Sequence, residues 1–195
     1  MLDILEAFDI RLFEFLNGLH ADWMDMPMYL ISWPWTWVPV YAYFFFLIFK
    51  NFKNWKNIIL VFLGLGISLA CTDLISVRVF KNQIQRYRPT KNLEIKDKVH
   101  VVNDFRGNPY RGGQFGFVSS HAANFFGIAT YFFLLFGKQK KHGLFFLWAA
   151  IIAYSRIYLG VHYPADIVGG AIIGIASGGL AWWLMNASSR KLIPS

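Results

Sequence analysis

The chain has 195 residues, enough for one domain with a sizeable core; 56% of them are apolar and only 15% charged. With 20 Phe, 9 Tyr and 8 Trp, this composition excludes an ordinary soluble domain and points to an integral membrane protein. The net charge of +8 would suggest nucleic acid in a soluble protein, but no soluble basic module carries it, so no nucleic-acid partner is expected and the charge is assigned to loops that meet lipid headgroups.

Residues 1–24 read as an amphipathic helix, with Leu5, Phe8, Leu12, Phe15, Leu16 and Leu19 on one face and Asp3, Glu6 and Glu14 elsewhere. It is too charged to span a bilayer and is expected to lie in the interface, or else to pack as an ordinary helix. The acidic start without a continuous apolar stretch argues against a cleavable signal peptide. Five apolar runs follow, each near the length of about 20 residues that a spanning helix needs. They run from Met28 to Phe49, Ile58 to Phe80, Ser119 to Phe136, Gly143 to Leu159 and Ala165 to Met185. Trp33, Trp35 and Trp37 mark an interfacial belt, and Pro34 and Pro39 are candidate kinks. Cys71, the single cysteine, can form no intrachain disulfide and marks no metal site. Gly170, Gly174 and Gly178 form a four-residue stripe that admits a close helix neighbour, more simply inside the bundle than in a dimer; the oligomeric state is left open. The fold expected is therefore all-α: one domain over 1–195, an interfacial helix, a bundle of about five transmembrane helices, and a loop over 81–116 on the side of the site.

Parity then places the polar residues. With five spans, the end of the second, the start of the third, the end of the fourth and the start of the fifth share one membrane face. Those places hold Lys81 with Arg88, then Ser119, Ser120 and His121, then Arg156, and then His162 with Asp166. Charged groups at the ends of membrane helices are costly and mark function by default. The opposite face holds Lys50, Lys53, Lys56, Lys138, Lys140, Lys141, Arg190 and Lys191 in short loops and a tail, where positive charge favours the cytoplasm. The site loop is also basic, with Arg86, Arg88, Lys91, Lys96, Lys98, Arg106 and Arg111, so the charge count is nearly balanced; the site is expected to face outward because its loop is long and its charges have another use.

His162 and Asp166 flank Pro164, which suits the first turn of a helix. The carboxylate can fix the imidazole tautomer and leave a nucleophile aimed at phosphorus; a plain helix cap is the alternative. Ser119 at a helix start is either an anion ligand or an N-cap, and the adjacent His121 adds a proton donor for a leaving group. Lys81, Arg88 and Arg156, with Arg86 as a fourth candidate, supply charge for a phosphoryl group, although any one of them is also explained as a snorkelling interfacial cation. Asp73, about two helical turns from Lys81, is too far to pair with it; it is expected to orient a basic residue on a neighbouring helix.

Lys81, six residues, then Arg88-Pro89 resembles the first motif of the type 2 phosphatidic acid phosphatase superfamily. Ser155-Arg156, five residues, His162, three residues, Asp166 is similar to its third motif in full. The second motif, usually Pro-Ser-Gly-His, stands here as Val118-Ser119-Ser120-His121, with serine at Ser120 in place of a glycine that lets backbone approach the phosphate. The resemblance implies an α-helical bacterial membrane phosphatase related to vanadate haloperoxidases, needing no metal or other cofactor. It implies that His162 attacks phosphorus with Asp166 as its partner, that His121 protonates the leaving group and then activates water, and that Lys81, Arg88, Ser119 and Arg156 hold the phosphate; Ser120, the departure from the motif, either restricts the approach or adds a hydroxyl donor to the phosphate. The partner expected is a lipid phosphate in the bilayer, hydrolysed through a phosphohistidine at the outer face of the cytoplasmic membrane. Undecaprenyl diphosphate is preferred because the loop's cations suit a diphosphate. Lipid A, phosphatidylglycerol phosphate and phosphatidate are the alternative substrates, and a lipid phosphotransferase or a non-enzymatic lipid-phosphate transporter the alternative functions.

Overall fold

The apolar runs become helices between caps and prolines. The computed structural model describes residues 2–137 and 140–188. Helix α1 spans Leu2–Gly18 and α2 spans Asp22–Ser32. A 3-10 turn at Pro34–Trp37 leads into α3, Val38–Asn51. Asn54 caps α4 by accepting the Lys56 N–H at 3.0 Å. Helix α4 runs over Trp55–Ile84, with wider π turns across Ile75–Lys81, and stops where Gln85 turns left-handed at φ 48°. Helices α5, α6 and α7 are Ser120–Leu135, Leu144–Tyr158 and Pro164–Ser188. Among the described residues no strand forms; the loop between α4 and α5 holds two isolated bridges, Tyr87 with Phe115 and Asn103 with Pro109.

The expected elements differ from this in three places. The run from Met28 to Phe49 is not one helix: Trp33 is extended at ψ 120° because the residue before a proline is pushed out of the helical region, so α2 and α3 are separate. The helix expected over 1–24 ends at Gly18, and Ala21 is extended before α2. Only α4 and α7 are long and apolar enough to cross a membrane by length and composition, among the described residues. Helices α3, α5 and α6 have 14, 16 and 15 residues. Lys138, Arg190 and Lys191, assigned to the basic face, lie outside the described residues.

Helix α5 lies directly on α7. A Cβ at Gly170, Gly174 or Gly178 would collide with the carbonyl oxygen of Ser119, Ala123 or Gly127, so the glycine stripe serves packing within the chain. That contact sets the start of α5 against the start of α7, where the polar motifs are. At the other end an aromatic core forms, with Phe44 stacked on Phe132 at 4.2 Å and Trp148 edge-on to Phe44 and Phe125. The Tyr131 hydroxyl donates to the Val61 carbonyl at 2.9 Å and ties α5 to α4.

Helix α1 docks through a narrow, partly polar face. Asp9, Phe13 and Asn17 are buried, whereas Leu5, Phe8, Phe15 and Leu19 from the apolar stripe are exposed. The Asn17 amide donates to the Tyr158 and Ile157 carbonyls at 2.8 and 3.1 Å, satisfying groups at the end of α6. Its oxygen accepts the His100 N–H at 2.8 Å.

Gly174→Ala forces a methyl into the α5 backbone and is expected to cost about 1–3 kcal/mol, the usual range for overpacking. Gly179→Ala, with nothing within 4 Å of its Cβ, is the control. Thermal midpoints in detergent should fall for the first and hold or rise for the second.

Candidate active site

Two stretches of the long loop are drawn together beside the starts of α5 and α7. The Arg88 N–H donates to the Gln114 carbonyl at 3.2 Å, and the Gly116 N–H donates to the Arg86 carbonyl at 2.8 Å. This pairing fixes Arg86 and Arg88 two residues apart on an extended segment. Gly116 is needed because a Cβ there would sit 2.9 Å from Asp166 Oδ2. The Ser119 N–H donates to the Asp166 carbonyl at 3.0 Å, joining the second and third motifs through their backbones.

His162 is 1% exposed and Asp166 0%. Imidazole Nδ1 lies 3.2 Å from Asp166 Oδ2, which also accepts the Tyr163 N–H at 3.0 Å. Arg88 Nη1 lies 3.1 Å from His162 Nε2. A guanidinium can only donate, so Nε2 must carry the lone pair and Nδ1 the proton. The network thus selects the tautomer with a free base at Nε2. Burial first, and then the charges of Arg88, Arg156 and Lys81, hold the imidazole well below its usual 6.5.

The cations fall into two groups. Arg88 also donates to the Phe115 and Val161 carbonyls, each at 3.1 Å. Arg156 donates to the Ser32 hydroxyl and, at 3.1 Å, to the Tyr110 hydroxyl, and its Nε is buried without a hydrogen-bond partner among the described residues. Lys81 Nζ donates to Ser120 Oγ at 2.8 Å. None of these three meets a carboxylate among the described residues. Burial and then Arg156 lower Arg88 to about 10, which leaves it cationic at neutral pH. Arg86 is different. Its Nη1 lies 2.8 Å from Asp9 Oδ2 and 3.1 Å from Asp166 Oδ1, and its Cζ sits 4.0 Å over the Tyr163 ring. Burial works to lower this guanidinium, but Asp166 and Asp9 raise it overall. Arg86 is therefore committed to carboxylates and does not join the anion-seeking cluster.

Ser119 is wholly buried and its Oγ accepts the Ala122 N–H at 3.4 Å, so it does cap α5, with its hydroxyl proton still to give. His121, in the first turn, lines two cavities. One, of about 160 Å³, includes Ser32 and Tyr110, the two partners of Arg156. The other, of about 340 Å³, is walled by Tyr41, Phe44, Phe62, Leu65 and Ile128. A smaller cavity that carries the hydroxyls of Ser32 and Tyr110 and a larger apolar one meet at this imidazole. Ser32 and Tyr110 carry no sequence signal, since one ends a broken helix and the other sits in an irregular loop. Among the described residues Asp73 forms no ion pair; it accepts from the Asn124 amide at 3.1 Å, and Asn124 is held in turn by Thr72.

The site thus sets two buried arginines and a half-buried lysine, none paired with a carboxylate among the described residues, around an oriented histidine. The profile of the PAP2 superfamily matches residues 58–190, and this chain belongs to that superfamily. It is 36% identical over 193 residues to a lipid A 4'-phosphatase of Bacteroides thetaiotaomicron, covering 98% of this chain and 81% of that protein. It is 35% identical over 193 residues to a lipid A 4'-phosphatase of Porphyromonas gingivalis, covering 97% and 78%. The fold matches the crystal structure of a PAP2-type phosphatidylglycerolphosphate phosphatase from Bacillus subtilis at a TM-score of 0.66 and 22% identity, over 96% of this chain and 89% of that one.

A histidine depressed below 6.5 binds its proton more readily in the unfolded chain, so folded stability is full above pH 6.5 and falls as pH drops below it. Lowering pH from 7 to 5 should therefore reduce the thermal midpoint more in the wild type than in His162→Gln. Equal pH slopes would contradict a buried neutral imidazole.

Proposed function

We propose that this membrane lipid phosphatase removes the 4'-phosphate of lipid A through a phosphohistidine on His162. The observation that carries the reading is the set of three cations, Lys81, Arg88 and Arg156, gathered around the His162 and His121 motifs with only neutral partners. Arg88 and Arg156 are buried and Lys81 is half-buried; such cations are stable only when paired or hydrogen-bonded, and a phosphate dianion completes them. The apolar cavity that reaches His121 offers surface for an acyl chain beside the smaller cavity that holds the partners of Arg156. The preference for undecaprenyl diphosphate gives way here. Two relatives aligned along almost the whole chain are lipid A 4'-phosphatases, and the cations of the loop suit the two phosphates of lipid A equally well. Lys91, Lys96, Arg106 and Arg111 are exposed on the long loop and available to the headgroup, whereas Lys98 lies 3.8 Å from Glu14.

In the first step His162 Nε2 attacks phosphorus as Arg88 moves from the imidazole to a phosphoryl oxygen. The bond to the sugar oxygen breaks, and His121, protonated beside the bound dianion, gives that oxygen its proton. Asp166 holds Nδ1–H throughout and stabilises the positive ring. Lys81, Arg88, Arg156, Ser119 and Ser120 take the charge on the equatorial oxygens. In the second step neutral His121 removes a proton from water, the water oxygen bonds to phosphorus, and the N–P bond breaks. No step is assigned to a metal.

The chain is placed in the cytoplasmic membrane with five spans: α4 and α7, and three shorter ones built on α3, α5 and α6. The site opens outward, and α1 lies in the interface with Leu5, Phe8 and Phe15 toward lipid.

Purified protein in detergent with chelator should release one phosphate from bisphosphorylated lipid A, leaving the 1-phosphate as read by mass spectrometry. Undecaprenyl diphosphate should be turned over more slowly. His162→Ala should lower release by at least roughly 10³-fold while the protein stays folded. A folded His162→Ala protein with wild-type turnover would sink the mechanism, and faster undecaprenyl diphosphate hydrolysis would sink the substrate.

A further inference from the structure

We infer that Arg86 is a positioning residue for the histidine–carboxylate pair, and that α1 takes part in the site by holding it through Asp9. Asp166 has no exposed surface, and its two oxygens are divided. Oδ2 faces His162 and the Tyr163 N–H, while Oδ1 takes Arg86 at 3.1 Å. Arg86 is the one cation in an ion pair with Asp166, the imidazole aside, among the described residues. A carboxylate this deep keeps its charge and its orientation only if it is paired. Arg86 is fixed from three sides: by Asp9 at 2.8 Å, by the Tyr163 ring beneath it, and by its own carbonyl bonded to Gly116.

Asp9 has a second task. Its Oδ1 accepts the Ala165 N–H at 2.8 Å, in the first turn of α7 and next to Asp166. One side chain of α1 thus steadies both the arginine and the helix start that present Asp166. Residues 9, 86 and 166 come from three distant parts of the chain, so only the folded protein joins them. Arg86 acts on Asp166 from the side away from the imidazole, which separates it from Arg88, two residues on, whose guanidinium touches Nε2.

The inference rests on the phosphohistidine reading, and the test separates the two. Turnover of bisphosphorylated lipid A and of a soluble aryl phosphate is measured for the wild type, Arg86→Gln, Arg86→Lys, Asp9→Asn, Asp166→Asn and the Arg86→Gln/Asp166→Asn double variant. Arg86→Gln should lower kcat roughly tenfold to a hundredfold on both substrates, with KM nearly unchanged, as expected when the partner of a reacting group's partner is lost. Arg86→Lys should recover part of the loss, and Asp9→Asn should show a smaller fall of the same kind. The double variant should be no slower than Asp166→Asn alone, because Arg86 acts through that carboxylate. Additive losses, a rise in KM with kcat kept, or an unchanged Arg86→Gln would each overturn the inference. If Arg86→Gln does not fold, Arg86→Lys and Asp9→Asn decide by the same kcat and KM criterion. A wild type active on the aryl phosphate but not on lipid A would reject the substrate and leave the Arg86 result standing.

Discussion

Asp166 is a carboxylate with no surface, and the architecture around it works to keep it charged and aimed. It accepts from Arg86, from His162 and from the Tyr163 N–H, while its own carbonyl takes the Ser119 N–H. The four partners come from three places: Arg86 from the long loop, His162 and Tyr163 from the turn before α7, and Ser119 from the cap of α5. A group that costs so much to bury cannot tolerate a loose neighbour, since losing one partner leaves the charge uncompensated. The stability of the site and the register of the three motifs are therefore one requirement.

The register is supplied by close packing rather than by the polar bonds alone. Gly170, Gly174 and Gly178 let α7 lie against the backbone of α5, and the topmost contact is with Ser119 itself. The cap of α5 is thereby hydrogen-bonded to the backbone carbonyl of Asp166, the residue whose side chain is the carboxylate of the site. Below, the aromatic layer of Phe44, Phe132, Phe125 and Trp148 fills the space that the glycines do not occupy. The same helix contact that packs the bundle delivers His121 and His162 to the same end of it.

The helices and the three motifs were readable because both signals are local. Apolar runs and short spacings such as His162 to Asp166 survive without knowledge of the fold. The break at Trp33-Pro34 was half-visible: proline announced a kink, but whether the chain would bend or stop depended on ψ at Trp33. The inner face of α1 was misleading in sequence. Its strongest stripe, Leu5, Phe8, Phe15 and Leu19, is outward, and the chain docks by Asp9, Phe13 and Asn17, where two of the three are polar. Periodicity weighs hydrophobicity alone, so a helix held by amide and carboxylate bonds on one side and apolar on its exposed side presents the wrong face to it. Ser32 and Tyr110 are ordinary residues whose role is defined only by the arginine they meet in space.

Arg86 and Arg88 show the limit most sharply. They have the same charge, lie two residues apart on one extended segment, and both were candidates for holding phosphate. What separates them is the sign of what waits on either side of His162. Toward Nδ1 lie Asp166 and, beyond it, Arg86 and Asp9; toward Nε2 lies Arg88, and Arg156 and Lys81 complete the set of cations without counter-charge. The imidazole is therefore placed across a gradient, with negative charge behind its proton and positive charge before its lone pair. In the mechanism proposed above, that polarity would draw a phosphate to Nε2 and stabilise the ring once the N–P bond had formed, so electrostatic direction, not the histidine alone, would make the nucleophile.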